Sequence, residues 1–330
     1  MLALLVLLPG SAAATHVQCG DVITQDTTLD TDLIDCPGDG VVIGAGDVTL
    51  DLGGHTIDGT GTDAGNQGVE INASDNVTVV NGRIQQFLAA VSIRLAGAND
   101  VSGMTLAESS IGVYLERASS TRIEDNEMLG PGPGVLLFLR GSFNEIRRNS
   151  ISGASTGIFL LGAVPVTADV AAHNVVADNR VFDNTTGLSL TGPHDTLVTG
   201  NQFTHNAVEG VLEHAVRSRI QGNVVRRNGV GVSVANSHLA QVTENRTWDN
   251  EGDGVRLGPD ADRATLADNF AKGNADDGID VDSPSATLIR NKAIHNGDYG
   301  IEAVPGVTDG GGNKAHANGN RAQCLNISCR

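Results

Sequence analysis

Aromatic residues make up only 3% of this 330-residue chain. Large rings ordinarily bury much of the apolar area in a compact globule, so their scarcity points to a core of small, stacked aliphatic side chains. Cations are also short: 21 Lys and Arg face 39 Asp and Glu, a formal charge of −18. That deficit argues against nucleic acid as a partner, because few cations are there to displace phosphate counterions. It argues equally against anionic lipid. A polyanionic ligand would need a local basic patch or a bound cation. Long hydrophobic runs are missing too. The opening run Met1–Leu8 is too short to span a bilayer and leads into the small residues Ala12–Ala14. Residues 1–14 therefore read as an export leader cleaved after Ala14, although the usual basic start is absent. No later segment suits membrane insertion, and the mature chain is expected to be secreted or extracytoplasmic.

Cysteine is limited to Cys19, Cys36, Cys324 and Cys329, two pairs at opposite ends of the chain. Their spacing matches neither a zinc nor a redox motif. In an oxidising compartment the simplest pairing is Cys19 with Cys36 and Cys324 with Cys329. No nucleophile elbow, phosphate loop or dinucleotide fingerprint is present.

What the chain has in abundance is a repeat. Gly followed by an aliphatic residue begins at Gly40-Val41 and recurs from Gly68-Val69 through Gly112, Gly134, Gly157, Gly187, Gly210, Gly231, Gly254 and Gly278 to Gly300, with Ala90-Val91 filling one gap. From Gly68 the steps are 21 to 24 residues, except for one of 30 between Gly157 and Gly187. A series of asparagines from Asn126 to Asn313 keeps the same period, and a second, from Asn184 to Asn318, runs five residues behind it. Strict alternation follows each Gly, as in Gly278-Ile-Asp-Val-Asp282, which is the pattern of a strand with one buried face. A coil of this length is too short for a helix pair, and its β-branched, Gly and Asn content opposes helix. About three short strands per coil fit. Asn at one turn position of every coil can bond its amide to the Asn above and below, and it tolerates the left-handed backbone of a sharp turn. The expected fold is all-β: a right-handed parallel β-helix of about twelve coils, roughly 60 Å tall at about 4.8 Å per coil. Residues 40–318 would form the helix. Residues 15–39 and 319–330 would form disulfide-pinned caps over its exposed edges.

The Gly-Ile/Val starts, the Asn-x-Val/Ile/Phe turns and the run Asp47-Val-Thr-Leu-Asp-Leu-Gly-Gly-His-Thr-Ile-Asp-Gly59 resemble the parallel β-helix repeat family of the pectate-lyase-like superfamily, over essentially the whole mature chain. Members include polysaccharide lyases, glycoside hydrolases, uronan epimerases and proteins without known catalysis, so the resemblance specifies a fold and leaves the reaction open. It implies a polysaccharide or other glycan as partner, bound on the outer face of the strand after each Gly. Gly192-Pro-His-Asp195 resembles the Asp-Pro-His-Asp motif of mannuronan C5-epimerases and departs from it at the first residue. The same tetrapeptide also suits an ordinary turn.

Alternation lets that outer face be written down. It carries an apolar, aromatic patch of Tyr114, Leu136, Phe138, Phe159 and Leu161, unexpected on a water-facing strand. Either the long coil within Leu161–Asn179 covers this patch, or the patch is a sugar-stacking platform with Phe138 and Phe159 as substrate contacts. Arg94 and Glu116 flank it on one side, and His194, His214, Arg217 and His238 on the other. A lyase or epimerase must neutralise a uronate carboxylate and remove the C5 proton; the lyase then protonates the leaving oxygen and the epimerase returns a proton to C5. Arg94, Tyr114, Glu116, His194 and His214 are the catalytic candidates for those roles, with Arg217 as a substrate contact. Alternation also turns Glu213 inward, which implies a bulge or a buried carboxylate. Further on, Asp249–Asp282 holds ten carboxylates against Arg256, Arg263 and Lys272. Asp253, Asp277, Asp280 and Asp282 are the candidate ligands for a hard cation, Ca²⁺. A plain solvated acidic face and a hydrolase acid–base pair at Asp280 and Asp282 remain alternatives. The expected function is carbohydrate binding or carbohydrate-active chemistry, as a lyase or epimerase before a hydrolase, with a non-catalytic interaction solenoid also open.

Overall fold

The computed structural model describes residues 16–62, 65–162 and 171–330. The expected leader, residues 1–14, lies outside the described residues, as does 163–170 of the long coil. Every paired strand among the described residues is parallel to its neighbours, and no helix there is long and apolar enough to cross a membrane. Most coils contribute three strands; in two, the second and third merge into Thr78–Gln85 and Asp100–Ala107. In one three-stranded coil these are Val255–Leu257, Thr265–Ala267 and Phe270–Lys272, which pair in register with Ile279–Val281, Thr287–Ile289 and Lys292–Ile294 of the next. First strands stack into one 14-stranded sheet that runs from Asp21–Ile23 to Cys324–Leu325. Twelve of those strands follow the Gly register, and one more at each end comes from the disulfide-bearing segments. The result is a solenoid of about thirteen turns.

The interior is built from aliphatic columns. One runs Ile71, Ile93, Leu115, Leu137, Leu160 and Leu190, is interrupted by Glu213, and resumes with Val234, Leu257 and Val281. Of the seven phenylalanines only Phe87 and Phe203 lie in the core, as the low aromatic content implied. The repeat glycines serve close approach. A Cβ at Gly254 would meet the Gly278 carbonyl oxygen at 2.6 Å, so any larger residue would push adjacent coils apart.

Both expected ladders form. Asn126 Nδ2 donates to Asn149 Oδ1 at 3.0 Å, and Asn223 Nδ2 to Asn245 Oδ1 at 3.0 Å. In the second series Asn206 Nδ2 donates to Asn228 Oδ1 at 2.9 Å. One expectation is corrected. The ladder asparagines are not left-handed; the residue before each of them is, as at Asp125 (φ 56°), Arg148 (φ 53°), Asp268 (φ 57°) and Arg290 (φ 52°), with Gly200 and Gly222 at the equivalent turns. The Asn side chain must point inward to reach its neighbours, so the chain reversal falls on the residue whose side chain points to solvent.

Disulfides join Cys19 to Cys36 and Cys324 to Cys329, one at each end. Such bonds persist in an oxidising, extracytoplasmic compartment.

Candidate functional site

The strand register aligns the outward positions of the first-strand sheet as two columns. One holds Glu70, Ser92, Tyr114, Leu136 and Phe159; the other holds Asn72, Arg94, Glu116, Phe138 and Leu161. Arg94, Tyr114 and Glu116 come together. The Arg94 guanidinium reaches Glu70 and Glu116, each at 3.8 Å, and lies 5.5 Å from the centre of the Tyr114 ring. The Tyr114 hydroxyl donates to Glu116 Oε2 at 3.3 Å. Burial first, and the Glu116 charge second, push the Tyr114 phenol above its ordinary range, so it holds its proton at neutral pH. Tyr114 and Phe138 are stacked with ring centres 6.5 Å apart. Phe138 and Phe159 are both half-buried, and together with Tyr114 they leave a partly accessible apolar surface beside the ion pairs.

The remaining catalytic candidates lie elsewhere. His214 shares the Arg94 column but is four coils beyond Glu116, about 19 Å at about 4.8 Å per coil. It faces Glu209, whose carboxyl is raised chiefly by burial. His194 does not lie in a turn, as the tetrapeptide Gly192–Asp195 suggested: a bulge between Thr191 and His194 lets the first strand run on to His194, which pairs with Val216. Its Nε2 is buried without a hydrogen-bond partner, and burial, then the Arg217 charge, lowers its pKa. Arg217 is clamped on Asp195 through Nε at 2.8 Å and Nη2 at 2.7 Å, which holds the Asp195 carboxyl low. His238 pairs with Asp262 at 2.9 Å. It is two coils from His194, through Val216.

The acidic stretch forms the second cluster. Asp253 Oδ1 accepts the Asp277 N–H at 3.1 Å, and Asp277 Oδ1 accepts the Tyr299 N–H at 2.6 Å. Asp39 accepts the Gln67 N–H at 2.7 Å in the same way. An Asp before the repeat Gly therefore ties one oxygen to the next coil. Carboxylate oxygens of Asp253, Asp276 and Asp277, and of Asp277, Asp280 and Glu302, lie within 4.8 Å of one another. Burial pushes Asp277 up to about 8 and, with the Asp282 charge behind it, Asp280 up to about 7. Asp253 is raised too, chiefly by burial. Among the described residues only Arg256, 3.8 Å from Asp280, opposes them directly. Of the four expected ligands, Asp253, Asp277 and Asp280 are brought together, whereas Asp282 acts on Asp280 only from outside these groups. Asp276 and Glu302 complete the groups. Glu302 was legible as the residue in register with Asp280, but it lies past the acidic stretch that drew attention.

Several solved structures share the architecture. The A-module of the Azotobacter vinelandii mannuronan C-5 epimerase AlgE4 superposes with a TM-score of 0.59 at 16% identity, covering 96% of this chain and 90% of that one. The periplasmic alginate epimerase AlgG gives 0.52 at 14%, covering 94% and 78%. The catalytic unit of a Streptomyces thermodiastaticus α-1,3-glucanase gives 0.60 at 16%, covering 90% of this chain and 63% of that one. At such identities these are likenesses of fold. No curated protein matches the sequence. Two family models do: one described as a right-handed β-helix region over residues 170–320, and one described as periplasmic copper-binding protein (NosD) over residues 20–213. The second description names copper, for which thiolate, thioether and imidazole are the usual ligands. The residues described do not fit it. All four cysteines are bridged, Met104 and Met128 are buried in the core, and no group of three neighbouring ligands among the described residues includes a histidine. The donor set that does assemble is all carboxylate. With the match extending over more than half its length, the chain belongs to the NosD family, built on a right-handed parallel β-helix.

Proposed function

We propose that the protein is an extracytoplasmic carbohydrate-binding β-helix whose glycan lies along the outer face of the first-strand sheet. The carrying observation is the partly accessible Tyr114–Phe138–Phe159 surface beside the ion-paired Arg94. Flat rings stack on the apolar face of a pyranose, and a guanidinium donates hydrogen bonds to a carboxylate. A uronic-acid polymer suits both features. The polysaccharide-directed activities named for the structural neighbours support the same substrate class. The carboxylates around Asp277 and Asp280 supply hard oxygen donors for Ca²⁺, which would relieve their repulsion and could bridge to a uronate.

A catalytic extension rests on one further observation, the hydrogen-bonded Tyr114–Glu116 pair beneath Arg94. In lyase chemistry Arg94 would neutralise the uronate carboxylate, Glu116 would take the C5 proton, and the protonated Tyr114 would supply one to the leaving oxygen; a C5-epimerase would share the first two steps and instead return a proton to C5 from the opposite face.

The test incubates the mature chain with alginate, pectate and glycosaminoglycans, with and without Ca²⁺. It follows retention on the polymer, ultraviolet absorbance of unsaturated product, and proton NMR of treated alginate. Retention that falls at least about tenfold in Arg94→Ala or Phe138→Ala is the expected result. No retention on any polymer overturns the binding reading. Binding with neither unsaturated product nor epimerised alginate overturns the catalytic extension alone.

A further inference from the structure

The sign of the charge reverses on a different wall of the solenoid, the outer face of the third strands. In a chain where acids outnumber bases 39 to 21, there are only three lysines, and Lys272, Lys292 and Lys314 all lie on this wall. Arg180, Arg226 and Arg246 join them at outward positions of the same stacked strands. From Arg180–Phe182 to Lys314–His316 no carboxylate occupies an outward position on these strands. None of the six cations has a carboxylate partner within ion-pair distance among the described residues, whereas Arg148, Arg217 and Arg290 on neighbouring turns each hold one.

Aromatic rings sit between these cations. The Arg180 guanidinium lies 4.1 Å over the centre of the Phe182 ring, and Lys292 Nζ lies 5.7 Å over that of Phe270. Trp248 stands between Arg226 and Lys272 in one column. A groove of about 550 Å³ opens at Arg246, Trp248, Phe270 and Lys292. Its two acidic wall residues are already engaged: Asp268 by Arg290 at 2.6 and 2.8 Å, and Glu244 by Gln221 at 3.2 Å.

We propose that this wall binds a polyanionic polysaccharide strand running parallel to the column axis. Unpaired cations would meet its carboxylates, and Trp248 and Phe270 would stack on its sugar rings. Coils repeat every 4.8 Å or so, close to the length of one pyranose ring, so nearly one cation per coil matches one carboxylate per sugar. In a DNA duplex each strand carries a phosphate about every 3.4 Å along the axis, a spacing this wall does not match, and against nucleic acid of either form the net charge of −18 leaves few cations to displace phosphate counterions. The wall is separate from the first-strand face, so the inference stands or falls independently of the function proposed there.

Trp248 is the only tryptophan in the chain, so emission excited at the red edge, where Tyr114 does not absorb, reports on this wall and not on the first-strand face. The full chain is titrated at low salt with oligogalacturonate, with a neutral dextran oligosaccharide and with a single-stranded oligonucleotide. The expected result is a saturable change in emission with oligogalacturonate alone. It should weaken on adding salt and weaken about tenfold in a Lys292→Ala, Arg246→Ala double variant. Both side chains are exposed, and an unchanged circular dichroism spectrum confirms the fold. Oligogalacturonate binding that leaves Trp248 emission unchanged would place the ligand on the first-strand face and overturn the inference. An equal response to dextran, tighter binding of the oligonucleotide, or an unaltered double variant would overturn it as well.

Discussion

Glu213 stands in a column of aliphatic side chains and is fully buried. Its Oε1 accepts the Ala215 N–H at 3.1 Å, while Oε2 has no hydrogen-bond partner. The Ser218 and Ser237 hydroxyls lie near it without completing a bond. Register through Leu190, Glu213 and Val234 is unbroken, so the inward carboxylate is real and no bulge relieves it. Burial raises its pKa from 4.5 to about 7. The folded state therefore holds the proton where the unfolded chain has released it, and stability falls as pH rises across that window. The loss is on the order of 3 kcal/mol for a shift of this size. Glu213→Gln should flatten the fall between pH 4.5 and pH 7 in urea denaturation, and Glu213→Leu should raise stability most above pH 7. An unchanged pH profile in both variants would show that the carboxyl does not titrate in this environment.

At the scale of the element, the asparagine ladders hold one coil to the next. Asn223 accepts from the backbone N–H and the amide of Asn201, and donates to the Val198 carbonyl and to Asn245. Asn223→Ala leaves several buried groups unpaired. At roughly 1–3 kcal/mol for each such group, it should cost about 3 kcal/mol or more in chemical denaturation, far beyond the effect of an exposed turn residue. A third ladder, between first and second strands, runs from Asn144 to Asn174 with Nδ2 to Oδ1 at 3.1 Å. It escaped the sequence because the same column continues as Thr196, Ser218 and Ala240, which breaks the periodic signal. Strand faces were legible because alternation is local: both outward columns around Arg94 and Phe138 follow from counting residues after Gly. What those columns assemble was less so. Arg94, Tyr114 and Glu116 lie in adjacent coils and meet. His194 and His214 were placed on the other side of the patch as candidates for the same chemistry, and they stay several coils away because each coil advances the chain by about 4.8 Å.

At the scale of the molecule, stability in a stacked solenoid is close to a sum of coils and the contacts between neighbours, so the ends fray first. The two disulfides restrain those ends unequally. Cys19–Cys36 closes a separation of 17 residues and Cys324–Cys329 one of 5. Chain-entropy arguments make these worth about 3 and about 2 kcal/mol. Cys36 is also fully buried in the core. Replacing the first pair by serine should expose the early coils in hydrogen exchange and lower the melting temperature more than replacing the second. The reverse order would mean that the C-terminal coils limit the stability of the whole column.

Period, alternation and cysteine placement by themselves determined the parallel β-helix, its inward and outward positions, and a bridge at each end. Each of these depends on residues close in sequence or on a repeat that states itself many times over. The register already aligned outward residues of successive coils; only the tertiary structure decided how closely their charged groups approach and which of them find a partner, because that depends on side-chain direction and on the turns between strands. The Asp277–Asp280–Glu302 cluster and the unpaired cationic wall around Trp248 arise in this way. Each joins residues of one strand or turn to residues some twenty positions away, which become adjacent only when successive coils stack.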